Sequence, residues 1–208
     1  MNSDNENKRI ESLFAVPLFV KDFKFEEKNR FIENARQYPA KESSNAGGFQ
    51  SDFLNPSDEV VADLMSQAMK DVTAAIGFLG IEASTSFAVD GIWMNINDPD
   101  HWNHIHNHPG ADFAVVIYLK VPEDSGDIVF YSNDPIKQYM PFYSTPLLND
   151  TPFSRLQYAH TPTEDSMVIF PGHVFHNVQV NESDKERVSV AFNLKVNRNN
   201  RQLSSNSW

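Results

Sequence analysis

Apolar positions recur along this chain at two periods, helical in the first third and strand-like after it. The run Ser12–Val20 reads as an early strand. Phe25–Tyr38 reads as a helix with Phe31, Ile32 and Ala35 on one face, stopped by Pro39, and residues 40–52 as a polar loop containing Gly47 and Gly48. The strongest helical signal spans Pro56 to Ile76. Val61, Leu64, Met65, Ala68, Val72, Ala75 and Ile76 form one stripe at i, i+3, i+4 spacing, so this helix faces a core. Asn55 is the expected N-cap, with Pro56 as the first helical residue and Asp58 and Glu59 at the positive end of the dipole. From residue 84 the period becomes two. Strands are expected over 85–97, 113–121, 127–132, 156–161, 166–170, 174–181 and 187–196, with turns marked by Pro-Glu-Asp, Asn-Asp-Pro and Asn-Glu-Ser. Two helices followed by many short strands predict a mainly β sandwich or barrel with the helices packed outside it. Residues 12–196 are read as one domain between mobile polar tails, 1–11 and 197–208.

Composition narrows the setting. With 208 residues, 40% hydrophobic and 16 of them Phe, the chain has matter for one buried core. A net charge of -11 disfavours broad nucleic-acid binding through phosphate. The chain contains no cysteine, which excludes disulfides and thiolate metal sites and suits a reducing, cytoplasmic location. No signal peptide and no membrane-length apolar run is visible. A homodimer is the expected assembly, being common among such chains.

The histidines carry the chemistry. Four of the seven lie in HWNHIHNHP, as His101, His104, His106 and His108, and two in FPGHVFHNV, as His173 and His176. Imidazole is the commonest side-chain metal ligand. Residues i and i+2 of a strand share a face, so His106 and His108 can address one ion, as can His104 and His106. A distant third histidine would close a facial triad with open positions. The third element is ERVSVAFNL, where alternation places Arg187, Ser189, Ala191 and Asn193 on one face and Val188, Val190, Phe192 and Leu194 on the other. An Arg-x-Ser pair on a polar strand face can hold a carboxylate, through a bidentate fork and a supporting hydroxyl. A surface ion pair with Asp184 or Glu186 is the plainer reading of the same arginine.

The pieces WMNIN, HNHPG, VVIYLKVPEDSGDIVFYSNDP, SMVIFPGHVFHNV and ERVSVAFNL, in this order from Trp93 to Asn193, resemble the Fe(II)/2-oxoglutarate-dependent dioxygenase superfamily. Within it, they are most similar to a 2-oxoglutarate-Fe(II) oxygenase family of marine bacteria and their phages. The resemblance implies a double-stranded β-helix (jelly-roll, cupin-like) core. It also implies Fe(II), 2-oxoglutarate as co-substrate and O2, with hydroxylation of a C–H bond and release of succinate and CO2. It assigns the metal to His106, His108 and His176, and the far carboxylate of 2-oxoglutarate to Arg187 with Ser189 and Tyr118. Asn95 is a further candidate for contact with the co-substrate. The family pattern has an acidic residue where this chain has His108, so Asp112, four residues on, is an alternative ligand. Trp93, Phe113, Phe130, Tyr131, Phe142 and Tyr143 are candidates to line the approach, with core packing the commoner role for any one of them, and residues 133–155 read as a lid or substrate loop or, equally, as a packed structural excursion.

Rival readings are a cupin-like three-His metalloenzyme without 2-oxoglutarate, a non-catalytic jelly-roll module and a histidine-rich divalent-ion binder. The substrate, a small molecule or a peptide, is not legible in the residues.

Overall fold

A computed structural model describes residues 15–81, 85–134, 139 and 155–197. Its elements run β1 (Phe19–Asp22), α1 (Lys28–Ala35), β2 (Asn45–Ala46), β3 (Phe49–Gln50), α2 (Glu59–Gly77), β4 (Phe87–Asn97), β5 (Trp102–His106), β6 (Phe113–Lys120), β7 (Ile128–Tyr131), β8 (Gln157–His160), β9 (Ser166–Pro171), β10 (His176–Val178) and β11 (Arg187–Val196). They form two antiparallel sheets, a six-stranded one ordered β1-β9-β6-β11-β4-β3 and a five-stranded one ordered β2-β5-β10-β7-β8. This is the double-stranded β-helix that the resemblance implies.

The larger sheet is covered on both faces, and parity decides which residue goes where. On β11, Val188, Val190, Phe192 and Leu194 point outward with Ile92, Met94 and Ile96 of β4 and Phe113, Val115, Ile117 and Leu119 of β6. The helices close this side. The α2 stripe of Val61, Leu64, Met65, Ala68, Val72 and Ile76 is buried with Phe31, Ile32 and Ala35 of α1, while Ala75 at its margin is only partly so. Truncating the fully buried Leu64 to alanine is expected to cost about 2–5 kcal/mol. The opposite face holds a smaller cluster, Ala114, Val116, Tyr118, Ile128, Phe130, Val168, Phe170, Val174 and Ala191, with Trp93 packed on it.

The sheets meet at a tight corner between β2 and β3. Asn45 pairs with Asn103 of the smaller sheet, whereas Gln50 pairs with Asn95 of the larger. Gly47 and Gly48 make the turn at φ +71 and +66. A Cβ on Gly47 would stand 2.3 Å from the His101 ring, and one on Gly48 2.3 Å from the Ile96 carbonyl oxygen, so both positions need glycine.

Several boundaries differ from the sequence reading. The expected helix over Phe25–Tyr38 is the shorter α1. Asn55 is not the N-cap of α2. Its side chain accepts from Ser57 N–H and its carbonyl from Asp58 N–H, so Pro56 lies in a turn and the helix starts after Asp58. Asp58 does not cap with its side chain, which accepts a hydrogen bond from the Tyr38 hydroxyl. The expected early strand is displaced to β1, and residues 12–14 lie outside the described residues. So do both tails apart from Asn197, and most of the proposed lid, with Phe142 and Tyr143. Phe113 faces the outer core rather than an approach to the histidines, because it shares parity with Val115 and Ile117. Among the described residues no helix is long and apolar enough to cross a membrane.

Candidate metal centre

His106 ends β5 and His176 opens β10, and the two are paired directly across the ladder. His108 follows in the turn after β5, where its backbone N–H donates to the Gly172 carbonyl at 2.8 Å. A bulge sits between these strands: two steps on β10, from His176 to Val178, match three on β5, from His106 to Asn103. The extra residue resets the parity, so the ring of His106 and the buried amide of Asn103 both turn inward. His104 is exposed, with an edge contact to Trp102, so the pair of histidines that converges is His106 and His108.

One possible ligand atom from each of His106, His108 and His176 lies within 4.8 Å of the others. The ring centroids are 4.3 Å apart for His106 and His176, 5.1 Å for His108 and His176, and 5.5 Å for His106 and His108. Each Nδ1 is already engaged. That of His106 donates to the His104 carbonyl at 2.7 Å, that of His176 to the Val174 carbonyl at 3.1 Å and that of His108 to Asn193 Oδ1 at 2.6 Å. These acceptors fix the Nδ1–H tautomer, leaving each Nε2 with a bare lone pair. Nε2 of His108 and Nε2 of His176 then stand 3.4 Å apart, two acceptors with no donor between them. A divalent cation satisfies that donor set. Burial pushes His108 down to about 4 and His176 down to about 3, and lowers His106 as well, so all three rings are neutral at pH 7 and available as ligands. Trp93 stacks on His108 at 5.8 Å, and Phe170 meets the rings of His176 and His108 edge-on at 4.8 and 6.1 Å. Phe130 lies 6.0 Å from His176. Tyr131 turns its hydroxyl to Asn177.

Asp112 has another task. Its Oδ2 accepts the Val196 N–H at 2.8 Å, and its backbone ties Leu194 and Gly172 together, so it anchors the end of β11. The three-residue cluster does not include it.

Arg187 begins the same strand that ends near Asn193. It is 2% exposed. Nη1 donates to the carbonyls of Ser125 (2.9 Å) and Gly126 (3.1 Å), and Nη2 to Asn97 Oδ1 (2.8 Å). Asn97 is held in turn by Asn103. Among the described residues these partners are all neutral, and Nε has none. The surface ion pair is thus not formed: Glu186 binds Arg36 and Lys120, facing the other way. Burial lowers the Arg187 pKa, with nearby Tyr118 and Asp127 opposing that shift, and an interior cation without a bonded acid is costly unless an anion joins it.

Beside the guanidinium a polar row crosses four strands. Ser189 is paired with Tyr118 on one side and Asn95 on the other, and Asn95 with Gln50. Directly paired residues share a face, so all four side chains face the inner space with Ala191 and Trp93. Burial raises the Tyr118 phenol, keeping it a neutral donor. The side-chain oxygens of Asn95 and Gln50 are buried without partners among the described residues. Arg187, Ser189, Tyr118 and Asn95 were all readable as candidates. Asn97, Asn193 and Phe170 were not, although the alternation of β11 had put Asn193 on the Arg187 face.

Comparison with known proteins agrees with this geometry. The family model described as "Putative 2OG-Fe(II) oxygenase" matches residues 91–193, which contain the three histidines, Arg187 and Asn193. No curated protein matches the chain at a significant level. Among solved structures, an oxidoreductase of the 2OG-Fe(II) oxygenase family from Burkholderia pseudomallei has TM-score 0.61 at 14% identity, covering 86% of this chain and 84% of that one. A prolyl-4-hydroxylase from Pseudomonas putida has TM-score 0.57 at 17% identity, covering 87% and 93%. SnoN, a non-haem alpha-ketoglutarate-dependent epimerase from nogalamycin biosynthesis, has TM-score 0.61 at 11% identity, covering 86% and 77%. At such identities these structures speak for the fold, and the matched segment speaks for the family. The chain belongs to the 2OG-Fe(II) oxygenases, enzymes that work with Fe(II), 2-oxoglutarate and O2.

Proposed function

We propose that the chain is a hydroxylase-type 2OG-Fe(II) oxygenase that holds its iron on His106, His108 and His176 and its co-substrate on Arg187. The observation that carries this reading is the pairing of two unmet demands in one interior. One ligand atom from each of three histidines converges within 4.8 Å with every Nδ1 already bonded, and among the described residues a buried guanidinium has no bonded anion. When bound, the iron and 2-oxoglutarate together supply the oxidising power, and that chemistry is the cofactor's own.

The chain's own residues bind, orient and exclude water. His106, His108 and His176 present neutral Nε2 atoms whose direction is set by three fixed acceptors. Arg187 offers Nε and its remaining Nη2 proton to the distal carboxylate, with the hydroxyls of Ser189 and Tyr118 as flanking donors. The carbonyls of Ser125 and Gly126 and the Asn97 amide hold the fork rigid, so little order is lost when the acid arrives. Trp93, Phe130 and Phe170 keep the histidine side apolar, which strengthens every charge interaction there.

The three-His donor set by itself also suits a metalloenzyme that does not use 2-oxoglutarate. Arg187 separates the two readings. Anaerobic Fe(II) with 2-oxoglutarate is expected to give a weak visible charge-transfer band, which Arg187→Lys weakens far more than it weakens metal binding. Succinate release, screened over amino-acid, peptide and small-metabolite substrates, then finds the substrate and distinguishes hydroxylation from other outcomes. A metal-binding protein that shows no band and releases no succinate would overturn the proposal.

A further inference from the structure

We propose that Asn193 is a positioning residue for the metal centre, the part that lets an imidazole at position 108 serve where the family pattern has a carboxylate. The proposal rests on His108 being a metal ligand. A carboxylate offers the same oxygens whichever way it turns. A neutral imidazole does not, because one of its nitrogens carries a proton and the wrong tautomer would aim N–H at the ion. The choice must be made by whatever the other nitrogen touches.

For His106 and His176 that contact is a nearby backbone carbonyl, two residues away in each case, and comes with the local fold. His108 lies in a turn, and its contact comes from 85 residues along the chain, Asn193 Oδ1 at 2.6 Å. The amide oxygen only accepts, so Nδ1 keeps the proton and Nε2 is left bare toward His176. The support is rigid. Asn193 sits in β11, between β4 and β6, opposite Ala114. The His108 ring is also clamped between the stack on Trp93 and the edge of Phe170, so the hydrogen bond sets its tautomer and the aromatics its plane.

The identity of the partner matters as well. All three acceptors are neutral, two carbonyls and one carboxamide. An Asp at 193 would keep the acceptor oxygen and add negative charge behind the ring, making His108 a stronger donor. Asn therefore orients the ring while leaving the full charge of the ion in place.

The test is an anaerobic Co(II) titration of the full chain, read by visible absorption, alongside thermal unfolding of the metal-free protein. Asn193→Leu removes the acceptor at similar volume and is expected to weaken Co(II) binding about 10–100-fold. Asn193→Asp is expected to bind at least as tightly as the parent. In a His108→Ala background, Asn193→Leu should add no more than about a twofold loss, because its partner is already gone. If the leucine variant folds poorly, Asn193→Ser, too short to reach Nδ1, takes its place. Unchanged affinity in Asn193→Leu overturns the proposal. So does an equal loss in the His108→Ala background, or a loss in Asn193→Asp that merely follows its unfolding temperature. Unchanged Co(II) affinity in His108→Ala alone would remove the ligand assignment itself, and that single variant separates the two failures.

Discussion

Nε2 of His108 and Nε2 of His176 face each other at 3.4 Å across 68 residues of sequence, both stripped of protons by the bonds their Nδ1 atoms make. Two lone pairs at that separation repel unless a cation sits between them. Removing either ring should therefore be disproportionately costly to the ion. His176→Ala and His106→Ala are expected to lower Fe(II) affinity at least about 100-fold in anaerobic titration, with no comparable loss in His104→Ala. His104 contributes to the centre through its backbone carbonyl, which the alanine variant keeps. Equal losses in all three variants would mean that the pair of histidines has been misplaced by two residues.

The same burial makes the metal-free protein sensitive to acid. His108 and His176 have native pKa values of about 4 and about 3, below the ordinary 6.5, and His106 is lowered too. Between pH 6.5 and those values the unfolded chain binds protons that the native chain refuses, so stability rises with pH across that window. Above pH 6.5 these groups contribute no slope. The metal-free protein should lose on the order of a few kcal/mol between pH 6.5 and 4, measured as urea midpoints. His176→Ala should show a shallower decline, and an identical decline would assign the slope to other groups.

Arg187 should not tolerate replacement by lysine. A lysine keeps the charge but lacks the fork that serves the Ser125 and Gly126 carbonyls and Asn97 Oδ1 together. Arg187→Lys is expected to raise the Kd for 2-oxoglutarate at least about 30-fold, by calorimetry on the metal-loaded protein, while the metal Kd changes less than about threefold. Equal effects on both constants would point to general loosening of the interior.

The corner between the sheets gives a stability test far from the chemistry. Gly48→Ala places a Cβ against the Ile96 carbonyl at positive φ, which is expected to cost about 2–4 kcal/mol and to lower the unfolding temperature by several degrees. Gly110→Ala shares the positive φ, at +83, but meets nothing within 4 Å, and should cost only about 1 kcal/mol. Similar losses in the two variants would show that the corner is not under steric constraint.

How far the residues alone revealed this structure depended on whether each signal was local. The strand 187–196 was read with its true bounds because its alternation is unbroken and both of its faces have a use, apolar under the helices and polar toward the site. The α2 stripe was legible for the same reason. β5 was not, since Trp102–His106 has no apolar alternation and carries the bulge that turns both Asn103 and His106 inward. β2 and β3 are two residues each and exist only through their partners in different sheets. In the site, His106, His108, His176 and Arg187 stood out through residue type and order. The Asn193 contact with His108 and the carbonyl acceptors around Arg187 did not, because a hydrogen bond between residues 85 or 62 positions apart leaves no periodic trace.

The most direct measurement is a crystal grown anaerobically with Fe(II) and 2-oxoglutarate, with anomalous data collected at the iron edge. One peak at bonding distance from Nε2 of His106, His108 and His176, with the distal carboxylate of 2-oxoglutarate on Arg187, is the predicted result. A peak bound elsewhere, or a co-substrate that leaves the guanidinium without an anion, would contradict it.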